Sequence, residues 1–93
     1  MENHFKSQLI QYYEYLQKNT ATNSMVEQAI GIKQKNLTRY KVTLEDQGSL
    51  VVVYRGFCKV TGFPADYLST NKEIIKKVNE RKYKETLFHN KNR

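Results

Sequence analysis

Cysteine and histidine are scarce in this chain, and each shortage removes a class of protein. A single cysteine, Cys58, leaves no internal disulfide, which suits a reducing compartment and excludes a disulfide-stapled scaffold. The two histidines, His4 and His89, stand near opposite ends. With one cysteine they make no metal-ligand spacing. No apolar run approaches the ~20 residues that span a bilayer. The opening MENHFKSQLIQ lacks the apolar stretch and small-residue cleavage site of a secretory signal. A cytoplasmic protein with no membrane partner is therefore expected. There is no phosphate-binding glycine loop, and Glu45, Asp46 and Asp66 offer no paired-carboxylate site. No catalytic role, cofactor or metal is expected. Repeats, linkers and low-complexity segments are also missing, so residues 1–93 read as one domain.

What the chain does have is positive charge. Sixteen Lys and Arg stand against nine acids, for a net charge of +7 and a pI near 9.6. That balance points to an anionic partner: nucleic acid, an anionic surface or an acidic protein. A hydrophobic content of 39%, with seven tyrosines and four phenylalanines, argues for a folded core and against a disordered basic tail. The charge is uneven. Residues 72–93 hold eight basic and three acidic residues, and the stretch 31–42 holds four cations and no acid.

Residues 4–18 place Phe5, Leu9, Tyr12, Tyr13 and Leu16 at helical spacing, which predicts an amphipathic helix. NTATN breaks it, and Thr20 or Thr22 caps a second helix that runs to Ile30 with Met25, Val26 and Ala29 inward. Gly31 is the terminating glycine, and Ile32 packs beneath the turn. A third helix over 33–47 buries Leu37, Tyr40 and Leu44 and ends at Gly48. LVVVYRGF (50–57) then reads as a strand, KVTG (59–62) as a turn and ADYLST (65–70) as a second strand, with Pro64 at the hairpin edge. Thr70 with Glu73 is a capping box opening a last helix over 71–88, with Ile74, Ile75, Val78 and Leu87 on its apolar side. That side is expected to pack on the first helix, and HNKNR (89–93) to fray. The expected fold class is α+β, mostly α.

Within 22–70 the residues Val26, Gly31, Ile32, Leu37 and Tyr40 fall at the intervals of a helix-turn-helix, and Leu44, Glu45, Gly48 and Leu50 follow the exit into a wing. This stretch resembles a winged helix-turn-helix domain. Glu27 stands where that family carries Ala or Gly, so it must face outward or tilt the helix pair. CKVTGFPADYLSTN more loosely resembles small proteins of phages and mobile elements of the Bacteroidetes. The resemblance implies three helices, a β-hairpin wing and a flanking carboxy-terminal helix. It also implies double-stranded DNA binding in transcription regulation, with helix 33–47 in the major groove and hairpin 50–70 on the backbone.

The residues fit that chemistry. With Leu37, Tyr40 and Leu44 inward, Lys35, Asn36, Thr38, Arg39 and Val42 face out, with Lys33 and Gln34 at the tip. Arg or Lys can donate to guanine, Asn or Gln can pair adenine, and Thr or Val can meet the thymine methyl. Four cations at the start of a helix oppose its macrodipole, which a merely solvated face does not call for. Lys33, Lys41, Arg55 and Lys59 are the expected phosphate contacts. Arg55 and Lys59 equally suit the protection of an edge strand. Lys76, Lys77, Arg81, Lys82 and Lys84 form a second basic centre. Tyr12, Tyr13 and Tyr15 exceed one core stripe and suggest a homodimer interface. The alternative is an interaction protein, such as a phage-encoded inhibitor, that turns its basic face to an acidic host protein.

Overall fold

The computed structural model describes residues 7–91, with side chains described as far as Lys84. Four helices and one two-stranded antiparallel hairpin make up this part of the chain, in the order α1 (Gln8–Lys18), α2 (Asn23–Ile30), α3 (Gln34–Asp46), β1 (Val51–Phe57), β2 (Pro64–Ser69) and α4 (Lys72–Lys91). The fold is thus small, α+β and mostly helical, as expected. His4 and Phe5 lie outside the described residues, as does the side chain of Leu87.

Three of the four helix starts are fixed by a polar side chain, α3 being the exception. Ser7 Oγ accepts the Ile10 N–H at the head of α1 (3.2 Å). Thr22 Oγ1 accepts the Met25 N–H at the head of α2 (3.2 Å), so Thr22 and not Thr20 is the cap. Gly31 ends α2 with φ 78°, a left-handed conformation that favours glycine. The last helix departs from expectation. Asn71 Oδ1 accepts the N–H groups of Glu73 (2.9 Å) and Ile74 (3.3 Å), so Asn71 is the cap and the Thr70–Glu73 capping box does not form. Thr70 is buried instead, and its hydroxyl donates to the Tyr13 carbonyl at 2.6 Å. Helix α4 also continues through residues 89–91, where fraying was expected.

One core joins α1 to β2. Tyr12, Leu16, Ala21, Val26, Ile32, Leu37, Leu44, Leu50 and Leu68 are all buried in it, and Tyr40 and Met25 pack partly against it. Ala29, inward by periodicity, is exposed; in the eight-residue α2 only Val26 is fully buried. Before α2, Ala21 forms a single antiparallel bridge with Leu68, through hydrogen bonds of 3.2 and 2.9 Å. This stitches the α1–α2 connection to the hairpin.

The end of α1 is satisfied from across the molecule. A helix leaves its last carbonyls without intrahelical partners. Here Leu16 O accepts from Thr70 N (3.2 Å) and Ser69 Oγ (3.4 Å), and Gln17 O accepts from Asn71 Nδ2 (3.3 Å). The β2–α4 junction therefore serves as the C-terminal cap of α1. Beyond that junction, α4 lies against β1 rather than along α1 as expected. The strand register shifts between Val52 and Tyr54, a bulge that leaves Val53 unpaired. The freed Val53 carbonyl accepts from Arg81 Nη2 of α4 at 3.3 Å.

Candidate nucleic-acid interface

Helix α3 is held from below by Leu37 (0% exposed) and Leu44 (5% exposed). At 3.6 residues per turn, Lys35, Arg39, Val42 and Asp46 then occupy the opposite, outward face. All four are exposed, Val42 to 51%. Lys33 is the cap residue of α3, extended in backbone and exposed, with no side-chain bond to the helix. Among the described residues, no carboxylate pairs with Lys33, Lys35, Arg39 or Lys59. Arg39 reaches only Asn36 Oδ1, at 3.5 Å. Lys35, Asn36 and Arg39 together border a shallow depression.

The remaining predicted residues are divided between neighbours. Asn36 is half-buried and turns toward α1, where Nδ2 donates to Gln8 Oε1 (3.4 Å). Tyr40 donates to the same oxygen at 3.1 Å. Gln34 turns toward α2 and donates to Ser24 Oγ at 2.8 Å. Thr38 donates its hydroxyl back to Gln34 O (3.0 Å), which leaves its methyl group as the outward contact. Lys41 is half-buried and pairs with Glu45 one turn on, at 3.3 Å. Arg55 pairs with Asp66 across the hairpin at 2.8 Å, with the pair well exposed. Lys41 and Asp66 line a common cleft with Thr22, Ser24 and Gln34, so β2 borders one flank of α3. The structure thus brings Lys33, Lys35, Arg39 and Val42 together on one open face, while it turns Gln34, Asn36 and Lys41 to the flanks.

Of the α1 tyrosines expected at a dimer interface, Tyr12 is closed to a second chain. Tyr12 is 0% exposed, and Tyr13 and Tyr15 pack half-buried against the same core. Tyr12 donates to Asn23 Oδ1 at 2.7 Å. Burial, reinforced by the negative charge of Glu45, pushes its phenol well above the ordinary range, so it remains a neutral donor. The dimer expected on these residues loses its central member to the domain's own core. The reason is that α1 is covered from two directions, by α3 and by β2, so its buried stripe is wider than one neighbour would make it.

Two features escaped the sequence. Asp46 shares the outward face of α3, one turn beyond Val42, and sets a negative limit to the basic region there. Spacing from Arg39 alone signals it. The other is the hairpin end, where Phe57 and Phe63 are 74% and 72% exposed. No periodic signal marks exposed aromatics in a strand and its turn. Cys58, between them in sequence, points inward and is buried. Burial works to raise its thiol pKa, but hydrogen bonds from the Thr22 hydroxyl, the Thr61 and Val60 N–H groups and the Thr61 hydroxyl outweigh it and bring the value to about 7.

On α4, Lys76, Lys77, Arg81, Lys82 and Lys84 are exposed, and Val78 is buried with Ile74 and Ile75 half-buried. Among the described residues no cluster of His, Cys, Asp and Glu could hold a metal ion, and no helix is long and apolar enough to cross a membrane. Compared with known proteins, the chain matches no family model, no curated protein and no solved structure.

Proposed function

We propose that this chain is a winged-helix domain that binds double-stranded DNA as a cytoplasmic transcriptional regulator. In this reading α3 enters the major groove and the β1–β2 hairpin is the wing. The order of the elements supports the architecture, as does the Ala21–Leu68 bridge, a one-residue remnant of a third strand beside the hairpin. One observation carries the function. Lys33, Lys35 and Arg39 lie exposed on the amino-terminal half of α3 with no carboxylate partner among the described residues, at the helix end where the dipole disfavours them. An external polyanion resolves that arrangement. Lys35 and Arg39 would donate to guanine edges, with Val42 and the Thr38 methyl against thymine. Lys33 and Lys59 would neutralise phosphates, and α4 would add to the attraction.

The test is fluorescence anisotropy of a labelled mixed-sequence duplex, titrated at several salt concentrations. The logarithm of affinity should fall against log salt with a slope of about −0.9 per phosphate contacted. Absence of binding at low salt would overturn the proposal.

A second reading has an observation of its own. Lys41 and Arg55, two of the expected phosphate contacts, are matched by the chain's own Glu45 and Asp66, and Asp46 shares the face of Arg39. A partner with mixed charge, an acidic host protein bearing some basic side chains, fits that pattern better than DNA does. In that case the same titration stays flat, and a pull-down from host extract that requires Arg39 recovers the partner.

A further inference from the structure

The end of the hairpin is built the wrong way round for stability. Residues 58–63 form a closed loop: Cys58 N donates to Phe63 O and Gly62 N to Cys58 O, both at 2.8 Å. Gly62 takes the positive φ (78°) that this turn requires. The Cys58 side chain points inward and meets Thr22 Oγ1 at 3.0 Å, which ties the loop to the cap of α2. Phe63 N donates to Thr61 Oγ1 (3.2 Å). So the loop is well bonded and anchored. On it, the small thiol is buried while Phe57 and Phe63 are 74% and 72% exposed and Val60 is 42% exposed. Phenyl rings this exposed contribute little to folding, and large apolar side chains left in water at one end of a hairpin are a feature of contact surfaces.

The charge around them narrows the partner. Between Phe57 and Pro64 the only ionisable group besides Cys58 is Lys59. The nearest acid along the strand, Asp66, is already paired with Arg55. The tip thus offers apolar rings and one unpaired cation on a rigid support, beside the flank of α3. The occupant it fits is one with anionic groups next to flat apolar slots, which is a base stack edged by phosphates.

We infer that Phe57 and Phe63 act as a wedge, entering the duplex at the minor groove and partly unstacking a base step while Lys59 contacts phosphate. This rests on the DNA-binding function proposed above. Apolar wedges of this type kink DNA toward the major groove, and flexible steps such as TA yield most readily. The domain would then favour sites with a TA step one wing's reach from the major-groove contacts of α3.

The experiment uses the full chain with a duplex that carries 2-aminopurine at a TA step and a donor and acceptor at its two ends. Binding is followed separately by anisotropy. Wild type should brighten the 2-aminopurine and raise end-to-end energy transfer. The F57A/F63A variant, altered only at exposed side chains, should keep the wild-type melting temperature, bind about tenfold more weakly and give neither signal at saturation. Saturating wild-type binding with silent 2-aminopurine and unchanged energy transfer would overturn the wedge and leave DNA binding intact. Equal signals from F57A/F63A would overturn it too. If neither protein binds the duplex at low salt, DNA binding itself fails. In that event, sedimentation with anionic phospholipid vesicles that depends on Phe57 and Phe63 would assign the tip to a lipid surface instead.

Discussion

The chain has two basic helices, α3 and α4, and they are built for different tasks. Helix α3 is clamped. Leu37 and Leu44 seat it in the core, and α1 and α2 flank it through Asn36, Tyr40 and Gln34. Its outward side chains are therefore held on a fixed frame. Helix α4 carries more cations, seven against the three of α3, but, as far as Lys84, buries only Val78 fully and leans on β1. Charge on a rigid, two-sided support can be aimed at individual bases, whereas charge on a one-sided helix acts mainly as a field. Under the proposed DNA-binding function, reading and attraction therefore divide between the two helices.

The difference in anchoring gives the largest effect. Leu37→Ala removes a fully buried side chain beneath α3 and should cost about 2–5 kcal/mol of stability, while Val78→Ala under α4 should cost about 1.5 kcal/mol. Urea denaturation of the two variants measures this directly, and equal losses would erase the contrast in support. Next comes the proposed division of labour on DNA. Arg39→Ala should lower discrimination between preferred and random duplexes by about 1–3 kcal/mol. The double variant K76A/K77A should weaken both duplexes alike and flatten the salt slope by about 0.9 per lysine. If R39A also weakens every duplex equally, α3 does not read bases.

A smaller effect tests how α4 begins. Asn71→Ala should cost about 1 kcal/mol through the lost cap, visible as a reduced denaturation midpoint, whereas the capping box expected from sequence would leave Asn71 unimportant. Smallest is the pH response in the loop at the end of the hairpin, where Cys58 meets the cap of α2. With its thiol lowered to about 7, Cys58 ionises below its ordinary range near 8.5. A group with a depressed folded pKa contributes stability above the unfolded value and loses it as pH falls through the folded one. Thiolate absorbance at 240 nm should therefore titrate with a midpoint near 7. The advantage of wild type over Cys58→Ser should shrink as pH drops from about 9 to 6. A midpoint at the ordinary thiol value would mean that the hydrogen bonds to sulfur do not outweigh burial.

Much of the frame was legible because it follows from local rules. Gly31 and Gly48 mark ends where φ is positive, and the spacing of Leu37 and Leu44 sets the inward face of α3. The β-branched run at 51–53 announces the strand. The pairing of Lys41 with Glu45 was also readable, being a four-residue step on a helix, although charge counting along 31–42 passes over it. Arg55 with Asp66 was not readable, since it needs the hairpin register. Thr70 looked like a cap because its neighbours match a motif. Only the approach of Tyr13, 57 residues earlier in sequence, draws its hydroxyl away.

By itself the sequence determined the element order, the α+β class, the buried stripe of α3 and the excess of positive charge. These depend on side-chain period, turn chemistry and composition, all of which act between near neighbours in the chain. Tertiary structure decided which cations stay unpaired, that Tyr12 is enclosed, that Ser69, Thr70 and Asn71 finish α1, and that Phe57 and Phe63 remain in water. Each of these depends on groups brought together from distant positions, where packing and the need to satisfy buried polar atoms override local preference.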